Sequence, residues 1–138
     1  MNLSRSLRGC ALGIALLAAG ADLAGSATAP FQARTDADGV QRVSLVGGSH
    51  FFRPAHILAR AGLPLEFTLS REPGIVPHRF VLEAPDGSTL ADVELDETPQ
   101  RLRLTLAAGG YVFHCPNRLL FFKSHREQGM SGRLELRE

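Results

Sequence analysis

The sequence predicts an all-β sandwich of seven to eight strands. Short segments with an apolar side recur about every ten residues, and turns rich in glycine and proline separate them. Beyond the N-terminus, no segment shows the longer apolar repeat of an amphipathic helix. Residues 40–138 are therefore expected to form a single domain, close to the roughly 100 residues of one sandwich.

The first 29 residues read as a signal peptide. Arg5 and Arg8 precede a short apolar run at residues 10–19, and small residues follow it. The run is shorter than the roughly 20 residues of a membrane-spanning helix. We expect cleavage between residues 21 and 29, export to the periplasm, a flexible leader at residues 30–39, and no stable membrane anchor in the mature chain.

Alternation and turn residues together place the strands in order. The clearest alternation is in residues 100–106, where three leucines share one side of the strand. Two prolines and a glycine make residues 71–77 a loop, and residues 89–95 are either a strand or an irregular edge. The predicted strands are residues 40–46, 56–60, 64–70, 78–83, 89–95, 100–106, 111–115 and 132–137.

Cleavage leaves only two sulfur-containing side chains in the mature chain, Cys115 and Met130. A lone thiol in an oxidising compartment has no internal disulfide partner, so it either binds a metal or pairs with another molecule. The period of a strand places Tyr111, Phe113 and Cys115 on one apolar face and turns His114 away. Cys115 is therefore expected at the end of the core, shielded from water.

Two histidines complete a candidate ligand set with these sulfur atoms. His125 and Met130 follow Cys115 on one loop, and His78 begins an earlier strand. A thiolate, two imidazoles and a thioether favour copper over magnesium, calcium or manganese. Zinc does not normally take a thioether, and a binuclear copper centre needs a second cysteine. The sequence predicts one copper ion, cycling between Cu(I) and Cu(II), at these four residues; the alternative is a metal-free sandwich.

Residues 40–138 resemble the cupredoxins, the family of plastocyanin, pseudoazurin and azurin. The resemblance rests on a tyrosine-phenylalanine-cysteine strand, a following histidine-methionine-glycine segment and an upstream proline-histidine pair. In one respect the chain departs from that family, because nine residues separate the cysteine from the loop histidine, where the family usually has fewer. The motif residues are Pro77-His78, Tyr111-x-Phe113-x-Cys115 and His125-x4-Met130-x-Gly132.

This resemblance implies a Greek-key sandwich with a type 1 copper site, in a subgroup with a lengthened ligand loop. His78 and His125 would be the imidazole ligands, Cys115 the thiolate and Met130 the axial thioether. The implied function is one-electron transfer in the periplasm to an unidentified redox protein, by a monomer. The alternatives are a copper-binding protein for tolerance or delivery, and an accessory domain of a membrane oxidase or metal-uptake system.

Composition argues against two other classes of function. Removing Arg5, Arg8 and Asp22 with the signal turns 15 basic and 14 acidic residues into thirteen of each. Nucleic-acid binding needs clustered Lys and Arg, and the chain shows no such cluster. No Ser/His/Asp set or carboxylate pair indicates catalysis, so we expect no enzymatic activity.

Three features outside the ligand set have two interpretations each. The apolar run at residues 119–122 either docks a partner beside the copper or packs the long loop onto the core, and we favour packing. His50 and His56 either form a second, exposed copper site or are ordinary edge histidines, and we favour the latter. Lys123, Arg126 and Glu127 are expected to be solvated loop charges that could also tune partner choice.

Overall fold

The computed structural model describes residues 28–138, in which ten strands form two sheets. The predicted signal peptide lies outside the described residues, apart from its last two positions. No helix in the described part of the chain has the length and hydropathy needed to cross a membrane. The strands are β1 (Phe31–Gln32), β2 (Gln41–Gly48), β3 (Phe51–Arg53), β4 (His56–Arg60), β5 (Leu65–Arg71), β6 (His78–Glu83), β7 (Thr89–Leu95), β8 (Gln100–Leu104), β9 (Gly109–His114) and β10 (Ser131–Arg137).

The two sheets pack as a sandwich and confirm the predicted all-β fold class. One has six strands in the order β1-β4-β10-β9-β6-β7, and the other has four in the order β3-β2-β5-β8. Strands β1 and β10 run parallel to β4, and β2 runs parallel to β5, while the other pairings are antiparallel. Neighbours in each sheet are mostly distant in sequence, as Greek-key connections require.

Two of the ten strands were absent from the prediction. Strand β1 lies within the predicted flexible leader and pairs with β4, Phe31 opposite Ile57. Strand β3 lies between the first two predicted strands, forms a hairpin with β2 and buries Phe52. Two or three residues are too few to show a period of two, which explains why alternation did not reveal them.

Four phenylalanines join the sheets in the core. Phe80 of β6 lies 5.5 Å, between ring centroids, from both Phe67 of β5 and Phe113 of β9. Phe52 of β3 meets Phe113 edge-on at 5.4 Å. Aromatic pairs at such distances add about 0.5–1.5 kcal/mol beyond the burial of their area. The contacts hold β6 and β9 firmly, and these two strands carry the candidate metal ligands at their ends.

Candidate metal centre

Three of the four predicted ligands meet at one end of the sandwich. His78 is the first residue of β6, Cys115 directly follows β9, and His125 lies on the loop that leads to β10. Strands β6 and β9 are neighbours in the six-stranded sheet, so their ends are adjacent. The ligand atoms of these three residues all lie within 4.8 Å of one another, and no other such group of three occurs among residues 28–138.

The separations of the ligand atoms fit a single metal ion. Nδ1 of His78 lies 3.2 Å from Nδ1 of His125, which lies 3.5 Å from Sγ of Cys115. Metal–nitrogen bonds of about 2.0–2.1 Å and metal–sulfur bonds of about 2.3 Å, at tetrahedral angles, separate such atoms by about 3.4 and 3.6 Å. All three side chains are buried, so the donors are shielded from bulk water.

Both imidazoles are held in the form that binds metals. Burial lowers the pKa of His78 below its ordinary value, and the neighbouring His125 lowers it further. Burial also lowers the pKa of His125, with a smaller contribution from His50. Both rings are therefore neutral near pH 7, with a nitrogen lone pair available for an ion.

The main chain supplies a donor to the cysteine sulfur. The backbone N–H of Arg79, the residue after His78, donates to Sγ of Cys115 at 3.3 Å. A donor aimed at a thiolate stabilises its negative charge. One short segment thus delivers both a ligand and a partner for the sulfur.

Backbone hydrogen bonds explain how the long interval between Cys115 and His125 is accommodated. The N–H of Arg126 donates to the carbonyl of Cys115 at 3.0 Å, and the N–H of His125 donates to that of Asn117 at 2.8 Å. These two hydrogen bonds bring His125 and Arg126 back beside Cys115 and Asn117. Residues 118–123 form a lobe that leaves and rejoins this closed base, so the extra length does not separate the ligands.

The turn that carries His125 begins with a capping box that we did not predict. The N–H and Oγ of Ser124 both donate to Oε2 of Glu127 at 2.7 Å, and the N–H of Glu127 returns a bond to Oγ at 3.2 Å. The hydrogen bonds from Ser124 lower the pKa of Glu127. The S-x-x-E spacing is a known signal for such a turn and was visible in the sequence. Glu127 is thus a structural element of the ligand loop as well as a surface charge.

Met130 is bound to the site through its backbone. Its N–H donates to the carbonyl of His125 at 2.8 Å, and its carbonyl accepts from the N–H of Cys115 at 3.1 Å. The side chain is fully buried. Its methyl group packs beside Gly47, where an added Cβ would lie 3.1 Å from Cε of Met130. Its role as an axial ligand stays a prediction.

None of the three remaining histidines belongs to the ligand cluster. Nε2 of His114 lies 2.8 Å from a carboxylate oxygen of Glu83, so the ring points away from Cys115, as predicted. Nε2 of His56 lies 2.7 Å from Glu135. The ring of His50 stands edge-on to that of His125, with centroids 5.4 Å apart. Since His50 and His56 line different cavities, the structure does not bring them together as one site.

The apolar run at residues 119–122 does not pack onto the core, so the interpretation that we favoured is wrong. All four side chains are exposed, and Phe121 reaches 85%. The loop is closed at its base by the backbone hydrogen bonds of His125 and Arg126, and the hydrophobic core contains no residue of the lobe. The run is therefore free to project from the surface.

Comparison with known proteins supports the fold through structure alone. No protein-family model matches the sequence, and no curated protein matches it. The metal-binding domain of the Cu(I)-exporting P-type ATPase CopA from Streptococcus pneumoniae is 20% identical, with a TM-score of 0.59 over 80% of this chain and 98% of that one.

Two photosynthetic bacteria provide further similar structures. Dithionite-reduced auracyanin from Roseiflexus castenholzii is 14% identical, with a TM-score of 0.56 over 77% of this chain and 99% of that one. Auracyanin A, a "blue" copper protein from Chloroflexus aurantiacus, is 14% identical, with the same TM-score of 0.56 over 72% of this chain and 100% of that one. At these identities the similarity establishes a shared fold.

Proposed function

We propose that this chain, which has the cupredoxin fold, binds one copper ion and carries single electrons in the periplasm. His78, Cys115 and His125 would be the principal ligands, and Met130 a weak axial one. The observation that carries the proposal is the meeting of two neutral imidazoles and a cysteine sulfur within 4.8 Å in a buried site. This donor set favours copper over the hard divalent ions.

A bound copper ion would supply a one-electron couple between Cu(I) and Cu(II). The chain contributes a ligand frame that is already assembled, because the backbone of Met130 is hydrogen-bonded to those of both Cys115 and His125. The phenylalanine contacts fix the strands beneath this frame. A rigid frame suits electron transfer because neither oxidation state then requires the ligands to rearrange.

His125 is the ligand best placed to face an electron-transfer partner. It lines a surface cavity together with His50, whereas neither His78 nor Cys115 lines it. The imidazole of His125 therefore lies between the buried ligand cluster and this surface cavity. This placement supports a carrier whose partner docks against the loop that carries His125.

The test is a redox cycle of the copper-loaded protein followed optically. We expect an intense thiolate-to-copper absorption that bleaches on reduction and returns on oxidation, while copper measured after gel filtration stays at one per chain. A matched variant, His56→Ala, should behave like wild type because His56 lies outside the cluster and pairs with Glu135. Release of copper on reduction would contradict a carrier role.

Copper delivery is the second candidate, and one observation favours it. The metal-binding domain of the Cu(I)-exporting ATPase shares the fold with a TM-score of 0.59. A delivery protein should give up Cu(I) to a competing ligand readily. Titration of the reduced protein with a Cu(I) chelator of known affinity separates the two roles: the carrier holds its ion at chelator concentrations where the delivery protein has lost it.

A further inference from the structure

The exposed apolar side chains gather on two loops beside His125. Among the described residues, nine large hydrophobic side chains are exposed, and six of them lie on these loops. Ile75 is 100% exposed, which is the highest value among these nine side chains. We call this set the apolar tip. Its members are Ile75, Val76, Leu119, Leu120, Phe121 and Phe122.

Several contacts make the tip a single projecting surface. The side-chain amide of Asn117 donates to the carbonyl of Pro77 at 2.9 Å and joins the bases of the two loops. Both loops line the cavity that also contains His125. At the end of the lobe, the N–H of Phe122 donates to the carbonyl of Leu119 at 3.0 Å, and the rings of Phe121 and Phe122 stack at 5.0 Å. Large side chains are therefore held outward by a closed turn.

Basic side chains border the lobe that carries four of the six residues of the tip. Arg118 and Lys123 border the apolar run directly, and Arg126 follows shortly after. The one acidic residue in the loop between Cys115 and Met130 is Glu127, which already bonds Arg118 at 3.0 Å. Lys123 has no salt bridge among residues 28–138. Arg126 pairs with Glu83 at 3.7 Å. In the loop between Cys115 and Met130, three basic residues against one acidic residue give the lobe side of the tip a net positive charge.

We propose that the apolar tip inserts into the interface of a lipid bilayer that carries anionic headgroups. Consecutive aliphatic and aromatic side chains on a projecting turn, bordered by Lys and Arg, have the composition that interfacial binding requires. A protein partner is the less suitable occupant, because protein interfaces are depleted in lysine. Such docking is reversible, unlike a membrane anchor. It places His125 against the membrane, where an electron donor or acceptor embedded in the bilayer can reach it.

The chain contains no tryptophan, so the fluorescence of a single introduced tryptophan reports how deeply that position enters the bilayer. We would compare full-length Phe121→Trp with full-length Leu90→Trp, both metal-free, on phosphatidylglycerol vesicles with brominated acyl chains. Leu90 is exposed on β7, at the end far from Leu95, which pairs with His78. Both variants carry the same N-terminal residues, so binding through that segment affects them equally.

When vesicles are added, the tryptophan fluorescence of Phe121→Trp should shift to the blue and be strongly quenched by the brominated chains. The fluorescence of Leu90→Trp should show neither change. Equal quenching of the two, or none for Phe121→Trp, overturns the proposal, including the case in which the N-terminal residues alone hold the chain on the vesicles. A Leu120→Ser, Phe121→Ser double variant should lower vesicle affinity by roughly tenfold or more, and phosphatidylcholine should weaken wild-type binding. Unchanged affinity in either arm contradicts insertion. Because the protein is metal-free, neither result bears on the proposed copper function.

Discussion

Cys115 is the residue on which the candidate centre depends most. Its sulfur meets two imidazoles, it accepts the N–H of Arg79, and its backbone bonds both Arg126 and Met130. Its position was predictable, because alternation in β9 places it on the core face beside Phe113. The hydrogen bond from Arg79 to its sulfur was not predictable, because a backbone donor does not depend on which side chain the residue carries.

Met130 gives the sharpest prediction at the residue scale. Met130→Leu keeps the volume and the apolar character, so we expect a stability loss of less than about 1.5 kcal/mol. Copper should still bind through the other three residues. The reduction potential should rise, because the loss of the axial donor destabilises Cu(II) more than Cu(I). A potentiometric titration monitored optically measures the change. An unchanged potential and spectrum would remove Met130 from the ligand set.

At the scale of elements, the strands show what the sequence can and cannot predict. The bounds of β4, β6 and β7 agree with the prediction, since each is long enough for its apolar pattern and turn residues to define it. Strand β8 ends two residues before its predicted end. The closed base of the ligand loop was not predictable, because backbone hydrogen bonds form it and these leave no pattern in the side chains. The capping box at Ser124, in contrast, could have been predicted from the S-x-x-E spacing.

Strand β2 lies so close to Leu95 and Met130 that a methyl group on Gly47 would displace their side chains. A Cβ on Gly47 would lie 2.7 Å from Cδ1 of Leu95 and 3.1 Å from Cε of Met130. We expect Gly47→Ala to cost about 1–3 kcal/mol through overpacking and to shift the copper spectrum. Gly110→Ala is the matched strand control, because nothing lies within 4 Å of its added Cβ. Chemical denaturation of both variants measures the difference; equal midpoints would refute the close approach.

The capping box stabilises the turn that carries His125. Ser124→Ala removes the cap, and we expect a loss of about 0.5–2 kcal/mol. Thermal unfolding of the metal-free variant at pH 7 measures this loss. If Ser124→Ala and wild type unfold at the same temperature, the turn does not depend on its cap.

Glu127 makes the contribution of this turn depend on pH. Its pKa is lowered from 4.5 by the bonds from Ser124, so its stabilising effect is fully present above pH 4.5 and is lost as the pH falls through the lower folded value. Wild type should therefore be more stable than Glu127→Gln at pH 7, and the gap should close in acid below pH 4.5. Unfolding curves across this range test the sign; a gap that widens in acid would contradict it.

At the scale of the molecule, the candidate centre and the apolar tip share one end of the sandwich. The ligands are held by strand ends and backbone bonds, whereas the lobe at residues 118–123 only rests on that base. The two features should therefore be separable. We expect the Leu120→Ser, Phe121→Ser variant to keep the copper absorption of wild type and to aggregate less. A lost or shifted absorption band would show that the lobe shapes the ligand set.

The resemblance to cupredoxins predicted the architecture of residues 40–138, and the structure confirms the fold. It did not predict the lobe, which is the departure from the family spacing. Side-chain pattern favoured packing for an apolar run, because most such runs are buried. Exposure is decided by whether the rest of the core is already full, and that is a property of the folded molecule.

The most direct test of the central claim is the optical and electron-spin spectrum of the protein loaded with one equivalent of Cu(II), beside that of Cys115→Ser. We expect an intense visible band from the thiolate and a spin signal with strongly reduced copper hyperfine splitting, because spin density is shared with the sulfur. Cys115→Ser should lose both while keeping the fold by circular dichroism. A wild-type spectrum without the band, or a band that survives in Cys115→Ser, would contradict the assignment of Cys115 to a copper ion.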